Sequence, residues 1–536
     1  MSEKVSINKS QTNISGVTAN LIDVDQCLKL AAQTHPDQLA LADSIQSFTW
    51  HILDKILNQV ANALIKSGIE PNQRIAVLGS NSVDYALLFL GGLRAGICIT
   101  PLSTLASSEA LAGMINDSEA KLLFVSPDYW NLIDSVTDKL TTLLPSGLKM
   151  LDGEGLDADH NNRQSFASFI DGASTASVDI PISLDWGFNL IYSSGTTGLP
   201  KGILQSRRYR ALEAQAMAGL ALDANSRVLI STPLYSNTTL FLFMAILANG
   251  GTVFLMEKFS TSGFLEISQR EKITHTVLVP VQYQRLLKDP NLDSTDLSSY
   301  QFKCSTSAPL HKPVKESLLQ RWPEGGLWEF YGMTEGGVNC ALAAHERPDK
   351  LDTVGQPSEG CDIRIIDDLG NEVPQGQPGE IVGFCDRIME EYHNRPKATQ
   401  EASWFDAQGR RFQKSGDIGW FDDESFLHLL DRKKDMIISG GFNVYAIDLE
   451  KILLSHLSVA DAAVIAAPSE QWGETPLAFV VLASGSTIDA EALRQWANGQ
   501  LGKAQRISAV EFINELPRSP IGKVLKRELR DGLPPN

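Results

Sequence analysis

Short apolar runs alternate with amphipathic stretches over much of this 536-residue chain. Arg74 to Leu78 predicts a buried strand, Asn81 to Ala95 a helix, and Gly96 to Leu102 the next strand. The alternation continues to about Val279. This pattern is typical of α/β proteins in which crossover helices connect parallel strands. Because the chain is too long for one core, we expect two or more domains.

The pattern changes after about residue 358. Residues 359–432 combine short strands with Gly/Pro turns, which predicts a β-rich subdomain within an N-terminal domain spanning 21–432. The remaining residues, 433–536, alternate helices and strands and predict a small α+β C-terminal domain. Residues 1–20 are a polar lead-in. The predicted fold class is therefore α/β, with parallel and mixed sheets in the large domain.

Composition excludes several classes of function. The net charge of −18 argues against a nucleic-acid partner. The six cysteines lack paired spacing, which argues against structural zinc and for a reducing compartment. No apolar run reaches the roughly 20 residues of a membrane span, and the N-terminus lacks a signal peptide's apolar core. We therefore expect a cytoplasmic protein.

The segment Ile191 to Gly202 reads I-Y-S-S-G-T-T-G-L-P-K-G. Its glycines allow close backbone approach, its hydroxyls offer hydrogen bonds, and Lys201 adds a positive charge, so the loop suits a polyphosphate. A Walker A loop needs Ser or Thr directly after Gly-Lys. Here Lys201 lies between Pro200 and Gly202, so this is a different kind of phosphate loop.

A second segment, Trp328 to Gly337, reads W-E-F-Y-G-M-T-E-G-G. Tyr331 offers a flat ring for stacking on a base, and Gly332 permits close approach of the backbone. Thr334 supplies a hydroxyl group. Glu335 supplies a carboxylate, which beside a polyphosphate is a natural Mg²⁺ ligand.

Three later segments carry further candidates. Asp417 lies between glycines, where its carboxylate could accept both hydroxyls of a ribose. The charged cluster 431–435 precedes a glycine-rich stretch that begins at Ser439. Near the C-terminus, Lys523 follows a glycine in a turn, whereas Lys526 and Arg527 fit a solvated basic tail.

The order of these segments closely resembles the adenylate-forming superfamily: Y-S-S-G-T-T-G-L-P-K-G, Y-G-M-T-E, S-G-D, D-R-K-K-D and P-R-S-P-I-G-K. That superfamily comprises acyl- and aryl-CoA synthetases, beetle luciferase and peptide-synthetase adenylation domains. The resemblance implies that a carboxylic acid and Mg·ATP form an acyl-adenylate, from which a thiol displaces AMP. It also implies a mobile C-terminal domain that rotates between the two steps.

The resemblance assigns an expected role to each site residue. The expected phosphate-binding residues are Ser193, Ser194, Gly195, Thr196, Thr197, Gly198 and Lys201. The expected adenosine-side residues are Ser307, Ala308, Pro309, Glu329, Phe330, Tyr331, Gly332, Asp417 and Arg432. The expected catalytic residues are Thr334 at the α-phosphate, Glu335 on Mg²⁺, and Lys523 between the carboxylate and the α-phosphate. The expected hinge is Lys434, and the expected CoA tunnel is lined by Gly440, Gly441 and Phe442.

CoA is the expected thiol, because the chain ends soon after Lys523. The stretch Thr232 to Thr239 lacks the carboxylate that would pair with an amino-acid substrate. Ser236 stands where many relatives have His, and Thr306 and Ser307 stand where relatives often have glycine. The residues expected to line the acid pocket are Tyr235, Ser236, Thr239, Thr306, Val338 and Asn339. These features favour an aliphatic or small aryl acid.

Three interpretations remain at this point. The leading one is an ATP-dependent acid:CoA ligase, with a homodimer as one expected assembly. The second is an acyl-AMP ligase that feeds a carrier protein, or a luciferase-like adenylate oxidase. The third is a non-catalytic nucleotide-binding protein, which the joint presence of Glu335, Asp417 and Lys523 disfavours.

Overall fold

A computed structural model describes residues 21–151, 164–193, 200–217, 220, 222–439, 442–502, 505–519 and 522–533. Its α-helices are α1 (Val24–Thr34), α2 (Trp50–Lys66), α3 (Val83–Arg94), α4 (Ser108–Asp117), α5 (Trp130–Asp134), α6 (Phe166–Ile170), α7 (Arg207–Met217), α8 (Asn237–Ala248), α9 (Thr261–Arg270), α10 (Pro280–Lys288), α11 (Lys312–Arg321), α12 (Pro396–Glu401), α13 (Ala446–Leu454), α14 (Ala490–Asn498) and α15 (Lys526–Asp531).

The strands of the described ranges follow in chain order: β1 (Leu39–Ala42), β2 (Ser47–Thr49), β3 (Arg74–Leu78), β4 (Cys98–Pro101), β5 (Leu123–Val125), β6 (Leu148–Met150), β7 (Gly187–Ser193), β8 (Lys201–Ser206), β9 (Arg227–Ile230), β10 (Thr252–Leu255), β11 (His275–Leu278), β12 (Phe302–Ser305), β13 (Gly326–Gly332), β14 (Asn339–Ala343), β15 (Gln356–Pro357), β16 (Asp362–Ile366), β17 (Gly379–Phe384), β18 (Glu391–Tyr392), β19 (Ser403–Phe405), β20 (Arg411–Phe421), β21 (Leu427–Arg432), β22 (Ile437–Ser439), β23 (Phe442–Val444), β24 (Val459–Ser469), β25 (Gly473–Leu482) and β26 (Ala509–Phe512).

Two large mixed sheets contain the strands β1 to β15 together with β18. A nine-stranded sheet has the order β15-β14-β13-β12-β11-β9-β10-β1-β2, and a seven-stranded sheet has the order β18-β8-β7-β4-β3-β5-β6. Their central strands are parallel, as the alternating sequence predicts, whereas hairpins add antiparallel strands at the edges. The α/β class with mixed sheets is confirmed.

The main core lies around two helices, α3 and α8, whose residues are buried on nearly every side. Helices that are apolar all round are stable only inside a protein. Both belong to one apolar cluster that also includes residues of α1 and α2 and of strands in both large sheets. This shared core holds the two sheets in a fixed relation.

Two smaller sheets complete the fold. Strands β16, β17, β20 and β19, with β21 beside β20, form an antiparallel sheet where the sequence predicts a β-rich region. Strands β23, β22, β25 and β24, with β26 beside β25, form another sheet with α13 and α14 and a core of its own. No helix among the described residues has the length and apolarity needed to cross a membrane.

Candidate active site

The predicted phosphate loop connects β7 and β8, which pair as a hairpin. At its base, Ser193 lies opposite Lys201. The Lys201 Nζ atom is 4.9 Å from the centroid of the Tyr392 ring, a favourable cation–π geometry. The other five residues predicted to grip phosphate, which lie outside the described residues, are Ser194, Gly195, Thr196, Thr197 and Gly198.

A hydrogen bond and an ion pair connect the motif around Tyr331 with the later motifs that contain Asp417 and Arg432. Tyr331 Oη donates to Asp417 Oδ2 at 2.7 Å, and Arg432 Nε lies 3.0 Å from Asp417 Oδ1. Asp417 and Arg432 also face each other in the pairing of β20 with β21. Burial, with the nearby Asp417 carboxylate, raises the pKa of Tyr331, so its phenol keeps its proton. Residues 86 positions apart in the sequence thus form one polar group.

Glu335 is held by a residue that the sequence analysis missed. Tyr392 Oη donates to Glu335 Oε1 at 2.7 Å, while the ring of Tyr392 faces Lys201. The phenol is buried, and burial and Glu335 raise its pKa. Tyr392 therefore joins the base of the phosphate loop to the predicted Mg²⁺ ligand.

The turn after Glu335 is fixed by backbone contacts. Gly336 and Gly337 have φ values of +72° and +79°, which favour glycine. Gly337 donates to the Arg387 carbonyl at 2.8 Å, and the Met389 N–H donates to the Glu335 carbonyl at 2.6 Å. The segment 387–389 therefore determines where the Glu335 carboxylate lies.

A buried polar network holds the backbone carbonyl of Thr334 in place. Gln205 Nε2 donates to the Thr334 carbonyl at 2.7 Å. Arg210 donates to Gln205 Oε1, to Asn237 Oδ1 at 2.6 Å and to Asn189 Oδ1 at 3.0 Å. Its side chain is fully buried and its charge is balanced by Glu213 at 2.5 Å. The network is satisfied, so it fixes the backbone of the motif.

Glu329 corrects the predicted nucleotide-binding set. Its carboxylate is 3% exposed, pairs with the buried Lys315, and accepts from the Leu310 N–H at 2.8 Å. On the opposite face of β13, Phe330 packs edge-on against Phe241 in α8. Both side chains are therefore occupied by contacts within the protein. Glu329 anchors the end of the loop 306–310 through its hydrogen bond from the Leu310 N–H.

Ser307 has a φ of +75°, a conformation in which glycine is preferred. Its hydroxyl makes a short contact with the Thr238 hydroxyl. Ala308 is partly buried and Pro309 is exposed on the same loop, and Gly332 is exposed at the end of β13. At Ser307 the departure from the family pattern therefore places a side chain where the backbone favours glycine.

The predicted acid-pocket residues differ in their surroundings. The Tyr235 phenol bonds to the hydroxyls of Thr104 and Ser103. Ser236 caps α8 by accepting from the Thr238 N–H at 3.3 Å. Asn339 Oδ1 accepts from the Ser358 hydroxyl at 2.7 Å.

Two members of the predicted pocket are packed in the interior instead. Thr239 is fully buried and its hydroxyl donates to the Pro233 carbonyl at 2.6 Å. Val338 belongs to an apolar cluster with Cys340 and Ile381. Both side chains are committed to packing, which corrects their assignment to the pocket.

Lys523 lies close to the nucleotide-side residues. Its hairpin is closed by the Ser519 N–H, which donates to the Lys523 carbonyl at 2.8 Å. A Cβ on the neighbouring Gly522 would lie 3.1 Å from Val281 in α10, so the hairpin packs on the large domain. Burial, followed by the charge of Arg432, lowers the pKa of Lys523 to about 8. Asp417 partly offsets this shift.

The charged cluster 431–435 is not a solvated linker. Asp431 Oδ2 accepts from the Ala446 N–H at 2.6 Å, and burial raises its pKa to about 6. Asp435 pairs with Arg530. Burial lowers the pKa of Lys434, the predicted hinge. Every one of these contacts ties the cluster to a neighbouring element.

The basic tail is likewise corrected at Lys526. Its side chain is 15% exposed and its Nζ lies 2.8 Å from Glu450 Oε1. Arg527 is exposed, as expected. Of the three residues predicted to line the CoA tunnel, one lies within the described residues. Phe442 is 65% exposed on β23, and Gly440 and Gly441 lie outside the described residues.

Comparison with known proteins agrees with this arrangement. The model of the AMP-binding enzyme family matches residues 28–393, and that of the AMP-binding enzyme C-terminal domain matches residues 448–523. The chain is 31% identical to 4-coumarate–CoA ligase 3 of Arabidopsis thaliana, over 94% of this chain and 89% of that protein. It is also 31% identical to feruloyl-CoA synthase of Amycolatopsis sp, over 93% and 96%. ATP-bound MatB from Rhodopseudomonas palustris has a similar structure, with a TM-score of 0.85 at 27% identity over 95% of this chain and 99% of that one.

The chain therefore belongs to the AMP-binding enzyme family, whose adenylate-forming members the sequence motifs resemble. It is an AMP-forming acid–thiol ligase that uses ATP and CoA.

Proposed function

We propose that the enzyme activates a compact carboxylic acid, aliphatic or small aryl, as an acyl-adenylate and transfers the acyl group to CoA. The observation that carries the proposal is the convergence of Lys523 with Asp417 and Arg432. Asp417 and Arg432 lie opposite each other on β20 and β21, whereas Lys523 comes from the C-terminal hairpin, and Asp417 also accepts a hydrogen bond from Tyr331. Such a grouping neutralises charge at the α-phosphate, which this chemistry requires more than covalent catalysis.

In the first step, a carboxylate oxygen of the acid attacks the α-phosphorus of ATP and pyrophosphate leaves. Lys201 and Ser193, with the loop between them, hold the leaving group. Tyr331 and the 307–309 loop enclose the adenine, and Asp417 with Arg432 binds the ribose. Lys523 attracts both negatively charged reactants to the reacting phosphorus.

The residues present fit a Mg²⁺ ion bound with ATP. Mg²⁺ is usually held by one or two protein carboxylates together with substrate phosphates. Glu335 provides one carboxylate, oriented by Tyr392 at 2.7 Å. The ion would supply charge neutralisation on the phosphates.

Replacing Tyr392 by Phe is expected to lower the rate of acid-dependent pyrophosphate release by about tenfold. The variant keeps the ring that faces Lys201 and removes only the hydroxyl that orients Glu335, which is worth about 1–2 kcal/mol. Measurement of kcat and of the Mg²⁺ concentration for half-maximal rate would show both changes. Tyr300→Phe, which removes a buried hydroxyl bonded to Ser268 away from the site, is the matched control and should change neither quantity. Unchanged Mg²⁺ dependence in Tyr392→Phe would contradict the positioning role.

The pKa of Lys523 predicts the pH dependence of adenylation. The protonated side chain is the active form, because it must neutralise phosphate and carboxylate. Since burial lowers this pKa to about 8, kcat/KM for ATP should fall as pH rises through 8, by about tenfold for each further pH unit. Lys523→Arg should remove this fall, since guanidinium stays protonated. A wild-type profile that stays level to pH 9.5 would disprove the assignment.

In the second step, the thiol of CoA attacks the acyl carbon and AMP leaves. We propose that residues 433–536 rotate about Lys434, withdrawing Lys523 and bringing the loop 440–445 to the thiol channel. The exposed Phe442 and the buried Lys523 support assignment of the present arrangement to the first step. A homodimer and a cytoplasmic location remain predictions.

Thr306 and Ser307 limit the size of the acid that the pocket accepts in this proposal. Thr306 and Ser307 place two side chains where the resembling family often has glycine; Ser307 has a positive φ, and its hydroxyl contacts Thr238. Together with Tyr235, Ser236 and Asn339, these residues support a narrow and partly polar pocket. The relatives named for 4-coumarate and ferulate act on longer flat acids.

Thr306→Gly should therefore broaden the range of acids. We expect kcat/KM for a cinnamic-type acid, relative to a short aliphatic acid, to rise about tenfold, since removing a few pocket atoms is worth 1–3 kcal/mol. Ala308→Gly, on the nucleotide side of the same loop, should leave this ratio unchanged. Equal kinetics on large acids in wild type and Thr306→Gly would contradict a narrow pocket.

A panel of carboxylic acids tests the function as a whole. Acid-dependent release of pyrophosphate, with AMP and CoA thioester in equal amounts, would support the ligase. AMP release that ignores CoA would favour an acyl-AMP ligase or an adenylate oxidase. ATP binding with no pyrophosphate release for any acid would revive a non-catalytic role.

A further inference from the structure

Two cysteines that the proposed chemistry does not use face each other across the small antiparallel sheet. In the pairing of β16 with β17, Asp362 lies opposite Phe384. Cys361 directly precedes β16 and Cys385 directly follows β17, so the two cysteines are also opposite each other. Both are free thiols, and they interact directly.

The environment of the pair favours thiol chemistry. Arg387 Nη2 lies 3.7 Å from Cys361 Sγ, and Cys385 Sγ donates to the Arg387 carbonyl at 3.2 Å. Hydrogen bonding from Cys361, supported by the charge of Arg387, lowers the pKa of Cys385. A thiolate beside a second thiol and a guanidinium is the usual setting of a reactive cysteine.

The pair is also mechanically connected to the active site. The Arg387 carbonyl that accepts from Cys385 accepts from the Gly337 N–H as well, at 2.8 Å. A Cβ on Gly336 would overlap this same carbonyl oxygen, so the turn packs tightly against Arg387. Two residues on, Met389 donates to the Glu335 carbonyl. A movement of the end of β17 would therefore displace the turn that contains Glu335.

We propose that Cys361 and Cys385 are a redox modification site, whose reversible disulfide slows the adenylation step. Directly opposed residues on antiparallel strands have Cβ atoms about 4.5–5.5 Å apart, and a disulfide needs about 3.5–4.5 Å. The strand ends must therefore approach by about 1 Å. This movement displaces Arg387 and, through it, the Glu335 turn.

A low-molecular-weight disulfide, such as glutathione disulfide, is a sufficient oxidant. Cys361, the more accessible residue, passes its proton to the Cys385 thiolate as it attacks one sulfur; the glutathione S–S bond breaks, and the glutathione that leaves takes this proton from Cys385 and becomes a thiol. The Cys385 thiolate then attacks Cys361 Sγ and expels the second glutathione. Two protein thiols are oxidised and one external disulfide is reduced to two thiols. Such a pair stays reduced in a reducing compartment until the oxidant accumulates.

Peptide mapping of the full-length protein tests the site. The reduced enzyme is incubated with glutathione disulfide, its remaining thiols are alkylated, and it is digested without reductant. We expect a crosslinked peptide joining Cys361 to Cys385. Glutathione adducts without this crosslink, or pairing of Cys361 with the nearby Cys340, would overturn the proposal.

Measurements of activity test the connection to Glu335. This experiment rests on the proposed ligase function, whereas the peptide mapping does not. Oxidation should lower acid-dependent pyrophosphate release at least fivefold, and dithiothreitol should restore it. Cys361→Ser and Cys385→Ser should resist the loss, whereas Cys27→Ser, which removes the other partly exposed thiol, should behave like wild type. Full activity in the crosslinked enzyme would overturn the regulatory effect. If the reduced enzyme releases no pyrophosphate with any acid, the ligase proposal fails, while the mapping still decides the disulfide.

Discussion

Replacing Lys523 by Ala is expected to lower acyl-adenylate formation by about 10²–10³-fold while leaving thioester formation from synthetic acyl-AMP and CoA nearly unchanged. The ammonium group is the mobile positive charge that we place between the carboxylate and the α-phosphate. Its burial and the nearby charges of Arg432 and Asp417 support this placement in the present arrangement. The second step has no phosphorus to neutralise in this way.

The two half-reactions are measured separately for this variant. Pyrophosphate release with acid and ATP reports the first, and thioester formation from acyl-AMP reports the second. Arg527→Ala, which removes an exposed cation four residues away, is the matched control and should affect neither. Equal losses in both half-reactions would show that Lys523 supports the fold or the CoA site rather than adenylation.

Glu335→Gln is expected to lower adenylation by about 100-fold. The amide keeps an oxygen that can accept from Tyr392, so the local geometry survives, but the negative charge needed for Mg²⁺ is lost. The Mg²⁺ concentration for half-maximal pyrophosphate release should rise together with the fall in rate.

Asp386→Asn serves as the control for charge alone, because this exposed carboxylate lies next to the segment that fixes the Glu335 turn. It should leave both the rate and the Mg²⁺ requirement unchanged. A Glu335→Gln enzyme with normal Mg²⁺ dependence would remove Glu335 from the metal site.

The sequence predicts the parts of this site that lie within short motifs. Tyr331 and Asp417 are recognisable because glycines beside them mark places where backbone and ligand approach closely. In the structure their side chains meet at 2.7 Å, while their contacts with adenine and ribose stay predictions. The alternation of strands and helices likewise predicts the sheets, since it follows directly from which side chains must be buried.

Other parts depend on tertiary packing and leave no local signal. Tyr392 is 57 positions from Glu335 and belongs to no segment with an unusual composition. Arg210 looks like an ordinary surface cation, and only the fold shows that three amide side chains and Glu213 surround it. Its one hint is the run of three arginines at 207, 208 and 210, which is unusual next to a phosphate loop.

Glu329 shows how a motif can mislead. It lies inside the segment that binds nucleotide in the resembling family, and a carboxylate there suggests a ligand contact. In the structure its carboxylate pairs with the buried Lys315 and accepts from the Leu310 N–H. A place inside the motif therefore does not by itself predict a ligand contact.

The central claim is that the reaction passes through an acyl-adenylate. The transfer of a carboxylate oxygen from the acid to AMP tests this claim most directly. An acid labelled with ¹⁸O in its carboxylate is converted with ATP and CoA, and the products are analysed by mass spectrometry. If the carboxylate attacks the α-phosphorus, AMP must carry one ¹⁸O and pyrophosphate none. AMP without the label, or label in pyrophosphate or phosphate, would contradict the account.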